Sequence, residues 1–414
     1  MEERQEEIRV AAEGQGKILF IPNMEPYCVR LMAAVFKTLN YHPHVLLEDD
    51  KSLAMGFKHT AWGECIPCPC TTGALMKAME EMHVPPERVI LFMPTACGPC
   101  RFGQYVKLNQ IIFEKKGWNV QIMSPTAENA YGGMPADARV RLWNALLLGD
   151  VCRKLACKVR PYEVNPGETD ALVEKHMARM EEVFGSSTDI TPTQGILGDL
   201  VRDLQAVKKR DVKKPLVGIV GEIFVRSDPY INGNLIRRIE ALGGEAWLAP
   251  FSEWIFYTMK VPEMLTEQNG SVVSRLLSRA KSWLANNLVF HKAEETCYGI
   301  ADPLLHDRRE YPIDEVIAAG MKYTPWQFEG EAILTLGRAR LFFARDNAKA
   351  VVNASPMFCM PGTITSSIFP QVEKEFGHPV INNFYDGSGD PNKSLAPVMH
   401  YLCENCAKER AAAV

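Results

Sequence analysis

Short apolar runs alternate with amphipathic stretches along the first half of the chain. KILFIP (17–22), HVLLE (44–48), VILFM (89–93) and VQIMS (120–124) are bounded by turn or polar residues and are too short for buried helices, so each predicts a strand. Between the last two, YVKLNQIIFEKKG (105–117) is amphipathic and ends on glycine, as a helix does. Strand followed by helix, repeated, predicts βαβ units around a parallel sheet. From 171 to 185 the apolar positions Val173, Met177, Met180 and Phe184 step by 4, 3 and 4, which predicts a helix stopped by Gly185. A second helix follows, with Leu197, Leu200, Val201, Leu204 and Val207 on one face.

The stretches GSSTDITPTQG (185–195) and KKRDVKKP (208–215) have turn or solvated character and mark a junction. The pattern then restarts with strands at PLVGIVGEIF (215–224) and EAWLAPF (245–251) around a helix over 234–242. A helix near 331–343, strands at AVVNA (350–354) and VINNF (380–384) and a last helix complete it. The expected fold is α/β, two Rossmann-like lobes with mainly parallel sheets: an N-terminal lobe over 1–185, a helical connection over 186–214 and a C-terminal lobe over 215–414. In the first lobe VILFM runs into PTACGPC, and in the second AVVNA runs into SPMFCMP. Each therefore sets cysteine just beyond the carboxyl end of a strand, where open α/β sheets bind ligands. If these ends face one another, a site in the interdomain cleft follows.

Composition narrows the partners. The chain has 414 residues, 47% hydrophobic and 23% charged, and its 46 basic and 50 acidic side chains leave a net charge of −4. Nothing in that balance calls for nucleic acid. The opening MEERQEEIRV is polar and acidic, and no apolar run approaches the roughly 18 residues of a membrane helix, so no membrane is expected and the expected location is cytoplasmic. No G-x-x-x-x-G-K-[ST] loop is present, and GQGKIL has too few glycines for a dinucleotide fingerprint, so the chain itself is not expected to hydrolyse ATP.

Twelve cysteines change the picture. In a reducing compartment they point to metal or redox chemistry rather than disulfides. Cys65, Cys68 and Cys70 fall in GECIPCPC, leading to a helix expected to start near Thr71 or Thr72; Cys97 and Cys100 fall in ACGPC and Cys359 in MFCMP. Thiolates select zinc, copper(I) or iron–sulfur clusters. Paired C-x-x-C motifs are a zinc pattern, whereas proline-flanked cysteines capping strands of two large lobes suit iron–sulfur loops. Cys28, Cys152 and Cys157 read as buried small hydrophobes. Cys403 and Cys406, near the C-terminus, read as free thiols or a minor metal site, and Cys297 stays undecided.

The segments GECIPCPCTTGALMKAM, PTACGPCRFGQY, LVGIVGEIFVRSDPYINGNLIRRIEALGGEAWLAPFSEWI, EGEAILTLGRA, NASPMFCMPGTITSSIFPQVEKEF and INNFYDGSGDPN resemble, in order, the acyl-CoA dehydratase activase-related family. That family is akin to the cluster-bearing subunits of 2-hydroxyacyl-CoA dehydratases and to double-cubane cluster proteins. The resemblance covers about residues 15–400 and carries three ligand positions onto Cys65, Cys100 and Cys359. Cys68, Cys70 and Cys97 raise the nearby count to six, the number a double-cubane [8Fe-9S] cluster uses, with Cys297 in reserve should Cys70 point away. A single [4Fe-4S] cluster is the alternative. The resemblance implies an iron–sulfur oxidoreductase that reduces a difficult small-molecule substrate. Its electrons come from a separate ATP-hydrolysing activase carrying its own cluster. A 2-hydroxyacyl-CoA dehydratase subunit and a non-enzymatic scaffold or electron relay are the competing functions, and a homodimer or larger complex is left open. Arg101 is the candidate to balance cluster charge or bind an anionic substrate, against a solvated surface role. Glu64, Glu222 and Glu331 are candidate proton donors, against helix-capping or surface roles.

Overall fold

Among the described residues, eight strands form two separate parallel sheets with the same internal order. The first comprises β1 (Ile18–Ile21), β2 (His42–Val45), β3 (Val89–Phe92) and β4 (Gln121–Met123), in the order β2-β1-β3-β4. The second comprises β5 (Leu216–Gly221), β6 (Glu245–Leu248), β7 (Ala350–Pro356) and β8 (Val380–Tyr385), in the order β6-β5-β7-β8. In each sheet the chain runs outward one way and then returns to the other side of its first strand, creating a topological switch point there. β3 and β5 are buried at every residue, the continuous apolar run expected of a parallel strand covered on both faces. The computed structural model describes residues 16–61, 63–96, 98, 100–126, 134–271, 275 and 290–412.

The helices of the first half are α1 (Pro26–Lys37), α2 (Asp50–Phe57), α3 (Pro67–Glu81), α4 (Tyr105–Lys116), α5 (Ala136–Val159), α6 (Glu168–Ser186) and α7 (Pro192–Ala206). Those of the second half are α8 (Ile223–Ser227), α9 (Leu235–Ala241), α10 (Ser252–Asn269), α11 (His291–Leu305), α12 (Ile313–Gly320), α13 (Ala332–Ala344), α14 (Met360–Phe376) and α15 (Leu395–Ala412). The α/β class with two parallel sheets is as the pattern predicts.

Two local expectations need correction. HVLLE is not the second strand; β2 lies over His42–Val45 and includes Pro43, which an edge strand tolerates, while Leu47 beyond it is 67% exposed. The helix expected to start near Thr71 or Thr72 starts at Pro67, because a proline's fixed φ suits the first helical position and its missing N–H is not needed there. Helices α10, α11 and α14 each hold an interior proline, Pro262, Pro303 and Pro370, which breaks the sequence signal without ending the helix.

The two sheets are not independent units. One apolar cluster runs from Leu19, Ile21 and Phe92 through Val151 and Leu155 of α5 and Leu197 and Leu200 of α7 to Val220, Trp247 and Phe342. The stretch 186–214 thus supplies part of a helical layer shared by both sheets. Helix α5 is its axis. Its Asp150 carboxylate accepts the backbone N–H of Phe251 at 2.9 Å and of Ser252 at 2.8 Å, capping the first turn of α10 from another element. One turn on, Lys154 pairs with Glu310, and its ammonium lies 5.0 Å from the Trp247 ring at the end of the second sheet.

Asp150 is 5% exposed, so Asp150→Ala strands two buried donors. Denaturant unfolding should show a loss of roughly 2–4 kcal/mol, and a loss under about 0.5 kcal/mol would show that the two sheets are held by apolar packing alone.

Candidate functional site

Three cysteines from three segments and both sheets line one small cavity, together with Arg101, Phe102, Tyr105, Glu222, Pro356, Met360 and Pro361. Cys100 follows β3 and Cys359 follows β7, the third strand of each sheet, so both stand at a switch point. Cys65 comes from the loop ahead of α3. That helix packs backbone to backbone on α2: a Cβ on Gly73 would lie 1.8 Å from the Ser52 carbonyl oxygen. Cys359 is the N-cap of α14, its sulfur accepting the Gly362 N–H at 3.3 Å. Phe358, just before it, is held at φ +64° with its side chain 58% exposed, a strained conformation for a bulky residue.

Glu222 closes the cavity from the end of β5. Gly221 makes the turn at φ +115°, where a Cβ would lie 2.1 Å from the Ala354 carbonyl oxygen, so only glycine lets β5 end against β7 here. The Glu222 carboxylate accepts the N–H groups of Phe224 at 3.2 Å and Val225 at 2.8 Å. Glu331 accepts the Ile223 N–H at 2.9 Å and sits beside Glu222. Burial, then the Glu222 charge, pushes the Glu331 carboxyl up to about 8, and burial also raises Glu222. Such a pair holds a proton at neutral pH, since two buried like charges do not both ionise. Arg101 is exposed and ties the Cys100 turn to the Cys65 loop by donating to the Gly63 carbonyl. Glu64 is a local brace, accepting the N–H groups of Ala61 at 2.9 Å and Gly63 at 3.2 Å, and does not line the cavity.

All described cysteines are free thiols. Burial pushes Cys65 up to about 11, against the Tyr105 hydroxyl and with Glu222 adding to the rise. Burial likewise takes Cys100 up to about 12 and raises Cys359, which also feels Glu222. Thiols desolvated beside carboxyls, Cys65 and Cys359 buried and Cys100 half-buried, become thiolates readily only when a cation among them supplies the missing positive charge. The donor set therefore fits a thiophilic metal group. Among the described residues no three His, Cys, Asp or Glu side chains are already grouped closely enough to hold a metal ion.

Other cysteines are placed elsewhere. Cys68 and Cys70 lie in the first turn of α3, where residues two apart point about 200° from each other. Cys68 stays next to Cys65 in the apolar cluster under the first sheet, outside the cavity lining. Cys70 faces the opposite way, into the apolar cluster of the second sheet near Glu48 and Asp228, and so is not brought to the cavity. Cys97 lies outside the described residues. Cys297 is on α11 in the helical layer with Cys152, so it is no substitute for Cys70. Cys28, Cys152 and Cys157 are buried on α1 and α5. Cys403 and Cys406 are on α15, where the Cys403 thiol donates to the Leu242 carbonyl at 3.5 Å.

Tyr105 is the site residue the sequence reading did not single out. Its hydroxyl lies 2.6 Å from the Cys65 sulfur, and burial, with the neighbouring thiol, raises the phenol well above its ordinary value, so it stays protonated. The signal available was its place at the start of a helix two residues after the C-G-P-C-R-F-G turn. No protein-family model matches the chain, and no curated protein matches it.

The Cys70 pocket has its own electrostatics. Glu48, in the loop after β2, and Asp228, at the C-terminal end of α8, face each other, and neither the Glu48 Oε1 nor the Asp228 Oδ2 atom has a donor partner among the described residues. Burial raises Asp228 from 3.8 to about 6 and raises Glu48 as well. The folded state holds the Asp228 proton more tightly than the unfolded chain, so the contribution of Asp228 is full below about pH 4 and lost as pH rises through about 6. Asp228→Asn should therefore gain stability relative to the parent protein as pH goes from about 4 to about 8, by roughly 1–3 kcal/mol. Unfolding curves across that range check it; a difference that does not change with pH would remove the shared proton.

Proposed function

We propose that the chain is an iron–sulfur reductase component whose cluster is held by Cys65, Cys100 and Cys359. The observation that carries this reading is the meeting of these three thiols from both sheets in one cavity, Cys65 and Cys359 buried and Cys100 half-buried. Iron–sulfur ligation suits thiols spread over strand ends and helix N-termini of two lobes, where backbone N–H groups such as that of Gly362 point at sulfur. Cys65, Cys100 and Cys359 as thiolates would hold a [4Fe-4S] cubane and leave one iron without a protein ligand. When bound, the cluster supplies single electrons at low potential to a small substrate reaching that open position.

The chain's own residues do the rest. Phe102, Pro356, Met360 and Pro361 keep water from the sulfurs, Glu331 holds a proton beside the cavity at its carboxyl oxygens, and Arg101 presents positive charge at the mouth. Arg101 is the sole basic side chain in the described lining, which supports a small anionic substrate over the CoA ester of a dehydratase subunit. A double cubane would need three further thiolates; Cys68 is adjacent, Cys70 faces away and Cys97 is outside the described residues. The single open cubane is therefore the cluster the geometry supports best.

The electron donor in this reading is a separate ATP-hydrolysing activase with its own cluster, docking where Met357 and Phe358 are exposed next to Cys359. The thiols need a reducing compartment, so the proposed location is the cytoplasm; among the described residues no helix is long and apolar enough to cross a membrane.

Serine replacement of Cys65, Cys100 or Cys359, in protein purified anaerobically, should remove most bound iron, while Cys70→Ser and Cys297→Ser should leave it near the parent level. Undiminished iron in any of the first three takes that residue out of the site. The parent cluster should be reduced, by EPR, with activase, ATP and reductant together. Full reduction and turnover by reductant alone would refute the partner model.

A further inference from the structure

We propose that Tyr105 sets the reduction potential of the cluster by donating a hydrogen bond to the Cys65 sulfur. The inference rests on Cys65 being a cluster ligand, as proposed above. The Tyr105 hydroxyl is 2.6 Å from the Cys65 sulfur, and the tyrosine is 5% exposed. A ligating thiolate carries no proton, so in that pair the phenol is the donor.

The tyrosine is held for this contact from two sides, one of them braced in turn by Thr72. Its ring meets Phe102 edge to face, with centroids 5.4 Å apart. Its backbone carbonyl accepts from Asn109 Nδ2 at 2.9 Å, one turn along α4. The Asn109 Oδ1 atom in turn accepts from the Thr72 hydroxyl at 3.1 Å, on α3, the helix that follows Cys65. Thr72 and Asn109 are both fully buried. A chain of buried polar contacts therefore fixes donor and acceptor on neighbouring helices relative to each other. Such a network is justified energetically only if its members stay satisfied, and the Cys65 sulfur is the one partner that the Tyr105 hydroxyl shows among the described residues.

A hydrogen bond to a ligating sulfur draws negative charge off it. The reduced cluster carries one more electron than the oxidised one, so the bond favours the reduced state and raises the potential. Tyr105 is a positioning residue in this role: it touches a ligand rather than the irons or the substrate. It also opposes the neighbouring Glu222 carboxyl, whose charge would disfavour adding an electron.

The test is an EPR-monitored redox titration of anaerobically purified full-length protein. Tyr105→Phe removes only the hydroxyl and should move the midpoint to more negative potential at unchanged iron content. Replacement of Tyr105 by 3-fluorotyrosine, a stronger donor, should move it the other way and keeps the question open to measurement should the phenylalanine variant fold poorly. In the parent protein, an exchangeable proton coupled to the reduced cluster should appear by ENDOR in H2O against D2O and be absent from the phenylalanine variant. Midpoints that do not move in either variant, at full cluster content, would overturn the inference while leaving the cluster in place. A parent chain that binds no iron would instead overturn the cluster reading, and the inference with it.

Discussion

The arrangement of the molecule depends on two parallel sheets being fixed so that their carboxyl ends address the same cavity. Neither sheet forms that cavity alone, because Cys65 and Cys100 belong to one and Glu222 and Cys359 to the other. The constraint is supplied by the helical layer the sheets share, with α5 at its centre. Asp150 caps α10, Lys154 pairs with Glu310, and one apolar cluster passes without a break from β1 to β5. Lobes joined this way do not swing freely, since separation would expose a continuous core and leave buried donors and charges without partners.

Within that frame the cavity combines features unfavourable to an isolated protein. Thiols lie next to two carboxyls, and Phe358 and Glu329 take positive-φ backbone conformations at φ +64° and +52° just ahead of Cys359 and Glu331. Strain and misplaced polarity are concentrated in one place, and the proposed cluster site would account for both. A cationic metal group among the sulfurs would offset the electrostatic part of that cost.

Much of this was legible in the sequence. The strands at 89–92, 216–221 and 350–356 stood out because a doubly covered parallel strand is an unbroken apolar run, and the placement of Cys100 and Cys359 beyond two of them follows directly. What the sequence hid was helical phase. Cys65, Cys68 and Cys70 look equivalent in GECIPCPC, yet a helix starting at Pro67 sends Cys68 and Cys70 to opposite faces, and the reading that started the helix at Thr71 kept all three in one loop. Helices with interior prolines were hidden for a different reason: tertiary packing outweighed a local signal. Tyr105 was faint because its contact with Cys65 spans 40 residues, and its place at the start of a helix after the C-G-P-C-R-F-G turn was the one local sign of it.

The central claim is that three thiolates hold one open cubane between the lobes. Counting iron, acid-labile sulfide and zinc in the anaerobically purified chain tests it most directly. The account predicts about four irons and about four sulfides per chain, with no stoichiometric zinc. About eight irons would replace the single cubane with a double one, and one zinc with no sulfide would contradict the account outright.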